Sequence, residues 1–261
     1  MTPASRIVAL RDGAVEVRVL VGGQGAPLVY FHSFHEPEPW PPALERLAAR
    51  FTVLAPVHPG APGSTGLDAV DDVHDLTLLY DEVLDALGLA APHLVGHGFG
   101  GMVAAELAAV FPRRVGRLAL VSPLGLWLEH APNADLLILP PEELLETMWA
   151  DPTSPAAQRW AGSPDADPAN VPGYVGSLQR RAAMARIVWP IPDKGLRKRL
   201  HRVRAPTLLL WGDADRANPV VYAEEWQRRI KGAAVRLVPG GHMLLHESPD
   251  VAATALLEFL K

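Results

Sequence analysis

The residues of this chain best suited to chemistry surround a five-residue turn motif with one unexpected residue. Residues 96–100 have the spacing Gly-x-Ser-x-Gly of a nucleophile elbow, but Gly98 stands where the serine is expected. A short apolar segment, 93–95, comes before the motif, and a segment with helical spacing, 102–111, comes after it. This order predicts a strand, a sharp turn and a helix, which is the local structure that an elbow needs.

A candidate base and a candidate acid follow downstream. His242 comes after the turn at 239–241 and before a final predicted helix. Asp215 follows an apolar strand that ends near Gly212, and Asp213 in the same segment competes for the role of the acid. A carboxylate that holds a histidine fixes its tautomer and stabilises the imidazolium formed when it takes a proton. We therefore expect His242 to act as a general base with Asp215 as its partner.

Composition excludes several classes of function. The chain has 261 residues, 49% of them hydrophobic, which suits one large domain with a substantial core. A net charge of −5 gives no electrostatic footprint for nucleic acid. The chain has no cysteine, so disulfides and thiolate catalysis are excluded. Residues 1–11 do not form a signal peptide and no apolar run could span a bilayer, so a cytoplasmic protein without a membrane segment is expected.

Strand and helix patterns alternate through most of the chain. The predicted strands are 14–20, 27–31, 51–55, 92–96, 115–122, 206–211 and 234–238, and the first of them has the alternation of a half-exposed edge strand. The predicted helices are 41–50, 71–87, 102–111, 220–230 and 249–260. Apolar strands that alternate with helices indicate an α/β fold, in which helices cover both faces of a mostly parallel sheet.

Residues 123–202 break this alternation. The segment is rich in proline and has no convincing strand pattern, so we interpret it as a mostly helical cap inserted into a core formed by 1–122 and 203–261. The basic run 194–204 carries Leu196, Leu200 and Val203 at helical spacing. That spacing predicts the solvated face of a cap helix.

The motifs together resemble those of the α/β-hydrolase superfamily over essentially the whole chain, and most of all its compact capped bacterial esterases and C–C hydrolases. The pieces that carry the resemblance occur in the family's order: the strand ending at Phe31 and His32, the loop 58–60, the elbow 96–101, the segment 208–215 and the turn 239–242. The nucleophile, acid and histidine follow each other in the order typical of this family. The resemblance implies an α/β-hydrolase fold.

The resemblance also implies roles for individual residues. Gly98 matches the nucleophile position, Asp215 the triad acid and His242 the triad base, whereas Phe34 and Phe99 match the two backbone donors of the oxyanion hole. A second departure lies opposite Gly98, because Ser33 replaces the glycine of the family's His-Gly pair. With a hydroxyl at this loop position the chain resembles plant hydroxynitrile lyases, although those enzymes keep the serine at the elbow.

Three hypotheses about function follow. The chain is a serine hydrolase whose nucleophile was replaced by design; or a natural enzyme that uses His242 as a base on water or on a substrate proton, for direct hydrolysis or a lyase, cyclase or isomerase reaction; or a binding protein on a hydrolase scaffold. Loss of a triad member still leaves roughly 10³–10⁴-fold catalysis over water in known hydrolases. Glycine at position 98 therefore does not by itself exclude activity.

We expect a largely apolar pocket beneath the cap, for a small to medium uncharged ester, lactone or related carbonyl compound. Candidate lining residues are His32, Ser33, His35, Ser122, Trp127, Trp149 and Trp189. Among these, the hydroxyl of Ser122 is more typical of a strand-end cap. His35 and Glu36 could form a polar pair at the mouth of the pocket, but their sequence is more typical of a solvent-facing loop. His97 is expected to pack beside the sheet. No cofactor or metal is implied. The protein is expected to be a monomer or a homodimer, and to bind a small-molecule substrate.

Overall fold

The computed structural model describes residues 2–36, 38–163, 170–189 and 193–261, which include an eight-stranded sheet. The strands are β1 (Ala4–Leu10), β2 (Val15–Gly22), β3 (Ala26–Phe31), β4 (Phe51–Pro56), β5 (His93–His97), β6 (Leu118–Val121), β7 (Thr207–Gly212) and β8 (Ala234–Val238). Their order across the sheet is β1-β2-β4-β3-β5-β6-β7-β8. The β1–β2 and β2–β4 pairs are antiparallel, and every pair from β4 to β8 is parallel. The predicted α/β class is confirmed.

Helices cover both faces of this sheet. They are α1 (Pro42–Leu47), α2 (Val73–Ala86), α3 (Phe99–Val110), α4 (Pro141–Met148), α5 (Pro155–Ala161), α6 (Val171–Val188), α7 (Val221–Arg229), α8 (Leu244–Glu247) and α9 (Pro249–Phe259). Alternate residues of β7 show the two-sided core: Leu208 and Leu210 belong to the apolar cluster under α1 and α9, whereas Leu209 belongs to the cluster under α2 and α3. No helix within the described ranges combines the length and apolar character needed to cross a bilayer.

The strand predicted at 14–20 is present as β2, but the prediction that it lies at the edge of the sheet was wrong. β1, which was not predicted, pairs with β2 from Ala4 opposite Val21 to Leu10 opposite Val15, so β1 lies at the edge of the sheet. Within β1 only Val8 and Leu10 are buried. A strand with so few buried residues has little alternation, and the sequence pattern therefore did not reveal it.

Residues between β6 and β7 form α4, α5 and α6, and the described part of this segment contains no strand. The basic run is not the α-helix that its spacing predicted, because it forms two short 3-10 helices, Leu196–Lys198 and Leu200–Arg202. The side chain of Arg199 between them forms an ion pair with the buried Glu106 on α3 at 2.5 Å. The division into a cap at 123–202 and a core stays a prediction.

The sheet brings the sequence-predicted site residues to one edge. β3, β5, β6 and β7 run parallel, so their carboxyl ends lie side by side. The loops that follow these strands carry Ser33, Gly98, Ser122 and Asp215. His242 follows β8, the next parallel strand. This is the edge at which open α/β sheets bind ligands.

Gly100 allows α3 to lie close to β3 at the elbow. A Cβ atom built on Gly100 would lie 2.0 Å from the carbonyl oxygen of Phe31, whose backbone cannot move without shifting the strand. Gly100→Ala is therefore expected to lower the free energy of unfolding by about 3 kcal/mol or more, since overpacking a rigid contact forces backbone shifts. Urea denaturation would measure the change.

Gly176 supplies the matched control for this prediction. It also lies inside a helix, α6, but a Cβ there would meet no atom closer than 3.7 Å. Gly176→Ala should leave stability unchanged or raise it, because alanine is the better helix former. Equal effects of the two substitutions would contradict the proposed close contact of α3 with β3.

Candidate active site

The turn between β5 and α3 has the sharp backbone geometry of an elbow. Gly98 has φ 53° and ψ −114°, a combination that residues with a Cβ atom rarely adopt. Its N–H donates to the carbonyl of Val121 at 3.0 Å, and its own carbonyl accepts from the N–H of Leu124 at 2.9 Å. These bonds fix the turn against the end of β6.

Asp215 and His242 form a buried hydrogen-bonded pair. Nδ1 of His242 lies 3.0 Å from Oδ2 of Asp215, and both side chains are fully buried. The other oxygen of Asp215 accepts the backbone N–H groups of Ala217 at 3.0 Å and Asn218 at 2.8 Å. The carboxylate thus holds the proton of the imidazole on Nδ1 and leaves Nε2 able to accept one. Asp213, the alternative acid, lies exposed and accepts from the N–H of Gly240 at 3.3 Å.

Two unpaired polar atoms face the space over Gly98. A Cβ atom built on Gly98 would lie 3.1 Å from Nε2 of His242 and 3.2 Å from Oγ of Ser33. Both atoms are buried, and within the described part of the chain neither has a hydrogen-bond partner. Buried polar atoms are normally satisfied, so two that face one small space indicate a site for a third group.

Two backbone N–H groups belong to residues that directly follow Gly98 and Ser33 in the chain. The amide of Phe99 opens α3, and a first-turn N–H has no acceptor within its own helix. The amide of Phe34 follows Ser33 in the loop after β3, and no acceptor for it is found among the residues described. Free N–H groups at a helix N-terminus and in an adjoining loop favour a negative charge on a bound oxygen.

A buried network supports the loop that carries His242. Glu36 lies 2.5 Å from Nδ1 of His97 and accepts the hydroxyl of Tyr30 at 2.8 Å. Nε2 of His97 donates to the backbone carbonyl of His242 at 2.8 Å. The network joins β3, β5 and the turn after β8, so it ties the two walls of the site together. Glu36 is fully buried and its partner is His97, which corrects the expectation of a solvent-facing pair of His35 and Glu36.

The pKa values of this network indicate an ion pair. Burial raises the pKa of Glu36, but the hydrogen bond and charge of His97 outweigh burial and bring it below its ordinary value. Burial lowers the pKa of His97, but Glu36 outweighs burial and brings it above its ordinary value. The favoured state is therefore an imidazolium paired with a carboxylate.

A second histidine pair is neutral and structural. The ring of His32 accepts the backbone N–H of His58 at 3.2 Å, and the ring of His58 donates to the carbonyl of His32 at 3.0 Å. The hydroxyl of Tyr80 donates to the remaining nitrogen of His58. Burial lowers the pKa of His58 to about 4. These bonds hold the start of the loop that carries Ser33 and Phe34.

Three small apolar cavities meet at the Phe34 side chain. The largest of the three, about 100 Å³, has His35, Trp160 and Tyr174 in its lining. A second of about 50 Å³ and a third of about 20 Å³ both touch Phe34 and Phe99. Apolar space on several sides of one aromatic side chain is typical of a small-molecule site. Among the described residues, no three potential ligand side chains are grouped to hold a metal ion.

Comparison of the chain with known proteins identifies its family. A family model described as Alpha/beta hydrolase family matches residues 19–255. The chain belongs to this family. A similar protein of Burkholderia cepacia, named as a 2-hydroxy-6-oxo-6-phenylhexa-2,4-dienoate hydrolase, is 28% identical over 242 residues, with 82% of this chain and 78% of that protein covered.

Two further comparisons differ in coverage. An acetyltransferase component of the acetoin cleaving system in Cupriavidus necator is 39% identical over 116 residues, 44% of this chain, and the chain covers only 31% of that protein's length. A solved structure titled as a membrane phospholipase A superposes with a TM-score of 0.81 at 26% identity, over 99% of this chain and 86% of that one. The proteins similar to this chain thus include a dienoate hydrolase and a phospholipase by name, together with one acetyltransferase component.

The structure separates the predicted lining residues of this α/β hydrolase into two groups. Ser33 faces the space over Gly98, and His35 and His32 line cavities next to Phe34. Ser122 is buried at the end of β6, but its hydroxyl makes no hydrogen bond to the described residues, so a capping bond is not seen.

The predicted tryptophans do not line the three cavities. Trp149 is buried against Trp160 and His246, and Trp189 is 50% exposed. Trp127 is half-buried and lines none of the three. Trp160 lines the largest of the three instead. Spacing within a proline-rich segment does not indicate which aromatic side chain points inward, so this difference could not be predicted from sequence.

Glu36 and His97 are the functional candidates that sequence reasoning missed. A buried carboxylate is uncommon unless it is paired, and the partner here lies 61 residues further along the chain. Only the parallel pairing of β3 with β5 brings the two together. A lone glutamate in a loop sequence therefore carried no signal.

Proposed function

We propose that this α/β hydrolase hydrolyses a small to medium, largely apolar ester, lactone or related carbonyl compound, with water in place of a serine nucleophile. The observation that carries the proposal is the unpaired Nε2 of His242, which faces the space over Gly98 while Asp215 holds Nδ1. A base in that state takes a proton from water as it takes one from serine. The hydrolase names of the relatives support the reaction class.

The proposed reaction needs only groups of this chain and water. A water oxygen attacks the carbonyl carbon and forms a C–O bond, while its proton passes to Nε2 of His242. The amides of Phe34 and Phe99 stabilise the oxyanion. The tetrahedral intermediate then breaks its bond to the leaving oxygen, which takes the proton back from His242. The products are a carboxylic acid and an alcohol.

Ser33 argues against a hydrolase that has merely lost its serine. A side chain at position 98 would place its Cβ 3.2 Å from Oγ of Ser33, which is tighter than ordinary van der Waals contact. The hydroxyl of Ser33 would therefore have to shift by a few tenths of an ångström to admit a serine at position 98. Gly98 and Ser33 fit each other as a pair, whereas a single replacement at 98 would leave the family's glycine at 33.

The apolar cavities support the substrate class. Their linings, including Leu139, Leu144 and Met184, suit hydrocarbon groups on either side of a carbonyl. Together they leave room for groups of modest size only. A carboxylic ester, a lactone or the carbonyl of a C–C hydrolase substrate would fit this description.

The test is an assay on short-chain p-nitrophenyl esters and lactones with the unaltered protein and Gly98→Ser, Ser33→Gly and the double variant. We expect turnover by the unaltered protein without a burst phase and without labelling by a fluorophosphonate. Gly98→Ser alone should gain little because Ser33 crowds it, and the double variant should gain labelling at position 98.

Three results would contradict the proposal. Full esterase activity and labelling in Gly98→Ser alone would identify a disarmed serine hydrolase. Absence of turnover by the unaltered protein on the whole panel, with ligands recovered at unchanged mass, would favour a binding protein. Products without added water would favour the other chemistry open to the same base: fragments of lower mass for a lyase, and a new compound of unchanged mass, separated by chromatography, for an isomerase.

A further inference from the structure

We infer that Ser33 is a positioning residue that holds the attacking water between its hydroxyl and His242, in the space that Gly98 leaves open. The inference rests on the proposed function and adds a second partner for the water. It starts from the two unpaired buried atoms, Oγ of Ser33 and Nε2 of His242, which lie 3.2 Å and 3.1 Å from the same built Cβ position.

The chemistry of a bound water fits these two atoms. A buried water needs two or more polar partners, and the space offers a hydroxyl and an unprotonated imidazole nitrogen. One O–H of the water donates to Nε2 of His242, and the other donates to Oγ of Ser33. The remaining lone pairs then face away from both walls. There they would reach the carbon of a carbonyl group whose oxygen accepts from the amides of Phe34 and Phe99.

The loop that carries Ser33 is held rigidly, as a positioning role requires. The carbonyl of Ser33 accepts the N–H of Glu36 at 3.2 Å and the ring N–H of His32 at 2.8 Å. Glu36 in turn is fixed by Tyr30 and His97. The same network contacts the carbonyl of His242, so the two proposed water partners keep their separation.

Glycine at 98 is the other half of this arrangement. Any Cβ there would lie within 3.1 Å of Nε2 and 3.2 Å of Oγ and would fill the space between them. The water proposal therefore explains both departures from the family pattern with one requirement. A hydroxyl is supplied from the oxyanion loop, and room is made at the elbow.

The experiment compares kcat and KM for ester hydrolysis in Ser33→Ala and Ser33→Thr. Ser33→Ala should lower kcat by about 10–100-fold, the effect of one hydrogen bond to a reacting group, with KM unchanged. Ser33→Thr keeps the hydroxyl and should restore most of the loss. The pH dependence of kcat should keep its midpoint in both variants, since the His242–Asp215 pair is untouched.

Gly98→Ala gives a second and independent arm. A methyl group brings no new chemistry but occupies the space for water, so kcat should fall at least as far as in Ser33→Ala. Circular dichroism and urea denaturation separate this effect from misfolding, because alanine is strained at a φ of 53°. Ser33→Ala carries no such strain and decides the question if Gly98→Ala does not fold.

Three results would overturn the inference, and they differ from failure of the proposed function. Unchanged kcat in Ser33→Ala, with activity lost in His242→Ala, would remove Ser33 from the reaction and leave the water mechanism standing. A fluorophosphonate or acyl adduct mapped to Ser33 would make Ser33 the nucleophile itself. Equal loss in Ser33→Ala and Ser33→Thr would assign the effect to packing. Unchanged activity in His242→Ala would instead reject the proposed function.

Discussion

Asp215→Asn is expected to lower kcat for ester hydrolysis by about 10⁴-fold with little change in stability. The oxygen of Asp215 that accepts the N–H groups of Ala217 and Asn218 fixes the orientation of the side chain. The NH₂ of the asparagine would then face Nδ1 of His242 and donate to it. The imidazole would carry its proton on Nε2 and could no longer accept one from water.

Asp213→Asn is the matched control for this prediction. Asp213 lies in the same loop, but it contacts the N–H of Gly240 and not His242. Its replacement should leave kcat unchanged. Steady-state kinetics and urea denaturation of both variants provide the comparison. Normal turnover in Asp215→Asn would mean that His242 is not the base and would remove the basis of the proposed mechanism.

Glu36→Gln is expected to lower the free energy of unfolding by about 3–5 kcal/mol, since it removes one partner of a buried ion pair. Glutamine keeps the size of the side chain but cannot compensate the charge on His97. Burial would then hold His97 neutral. Urea denaturation at a pH between 5 and 6 measures the loss most directly.

Two features of the Glu36→Gln experiment make it decisive. Glu258→Gln, which removes an exposed partner of Arg236, should stay close to the stability of the unaltered protein, because solvent screens such pairs. The turnover of Glu36→Gln should also fall, since the network holds the carbonyl of His242 and the loop of Ser33. A stability loss no larger than that of Glu258→Gln would contradict a buried ion pair.

The contribution of this pair to stability should depend on pH in both directions. The pKa of Glu36 is lowered from 4.5, so its contribution is present above that value and is lost as the pH falls through the folded-state pKa. The pKa of His97 is raised from 6.5, so its contribution is present below that value and is lost as the pH rises through the folded-state pKa. The stability difference between the unaltered protein and Glu36→Gln should therefore be largest between these two ordinary values.

Local pattern was enough to predict seven of the eight strands of the sheet. Apolar strands such as β7 are short runs buried on both faces, and the helices between them have one apolar side, so both periods are visible in sequence. The weak pattern of β1 and the 3-10 helices at 196–202 were missed. β1 has few buried side chains, and a glycine turn precedes the 3-10 helices. The periodicity of apolar residues reveals neither feature.

The amino-acid sequence by itself determined the α/β class, the elbow with its glycine at 98, and the order in which Asp215 and His242 follow it. These properties depend on residue type and short spacing, which the chain order preserves. Only the tertiary structure decided that Ser33 faces His242 across Gly98, that Glu36 pairs with His97, and that Trp160 lines a cavity beside Phe34. Each of these contacts joins segments far apart in the chain, and the pairing of parallel strands and the packing of the helices between β6 and β7 bring them together.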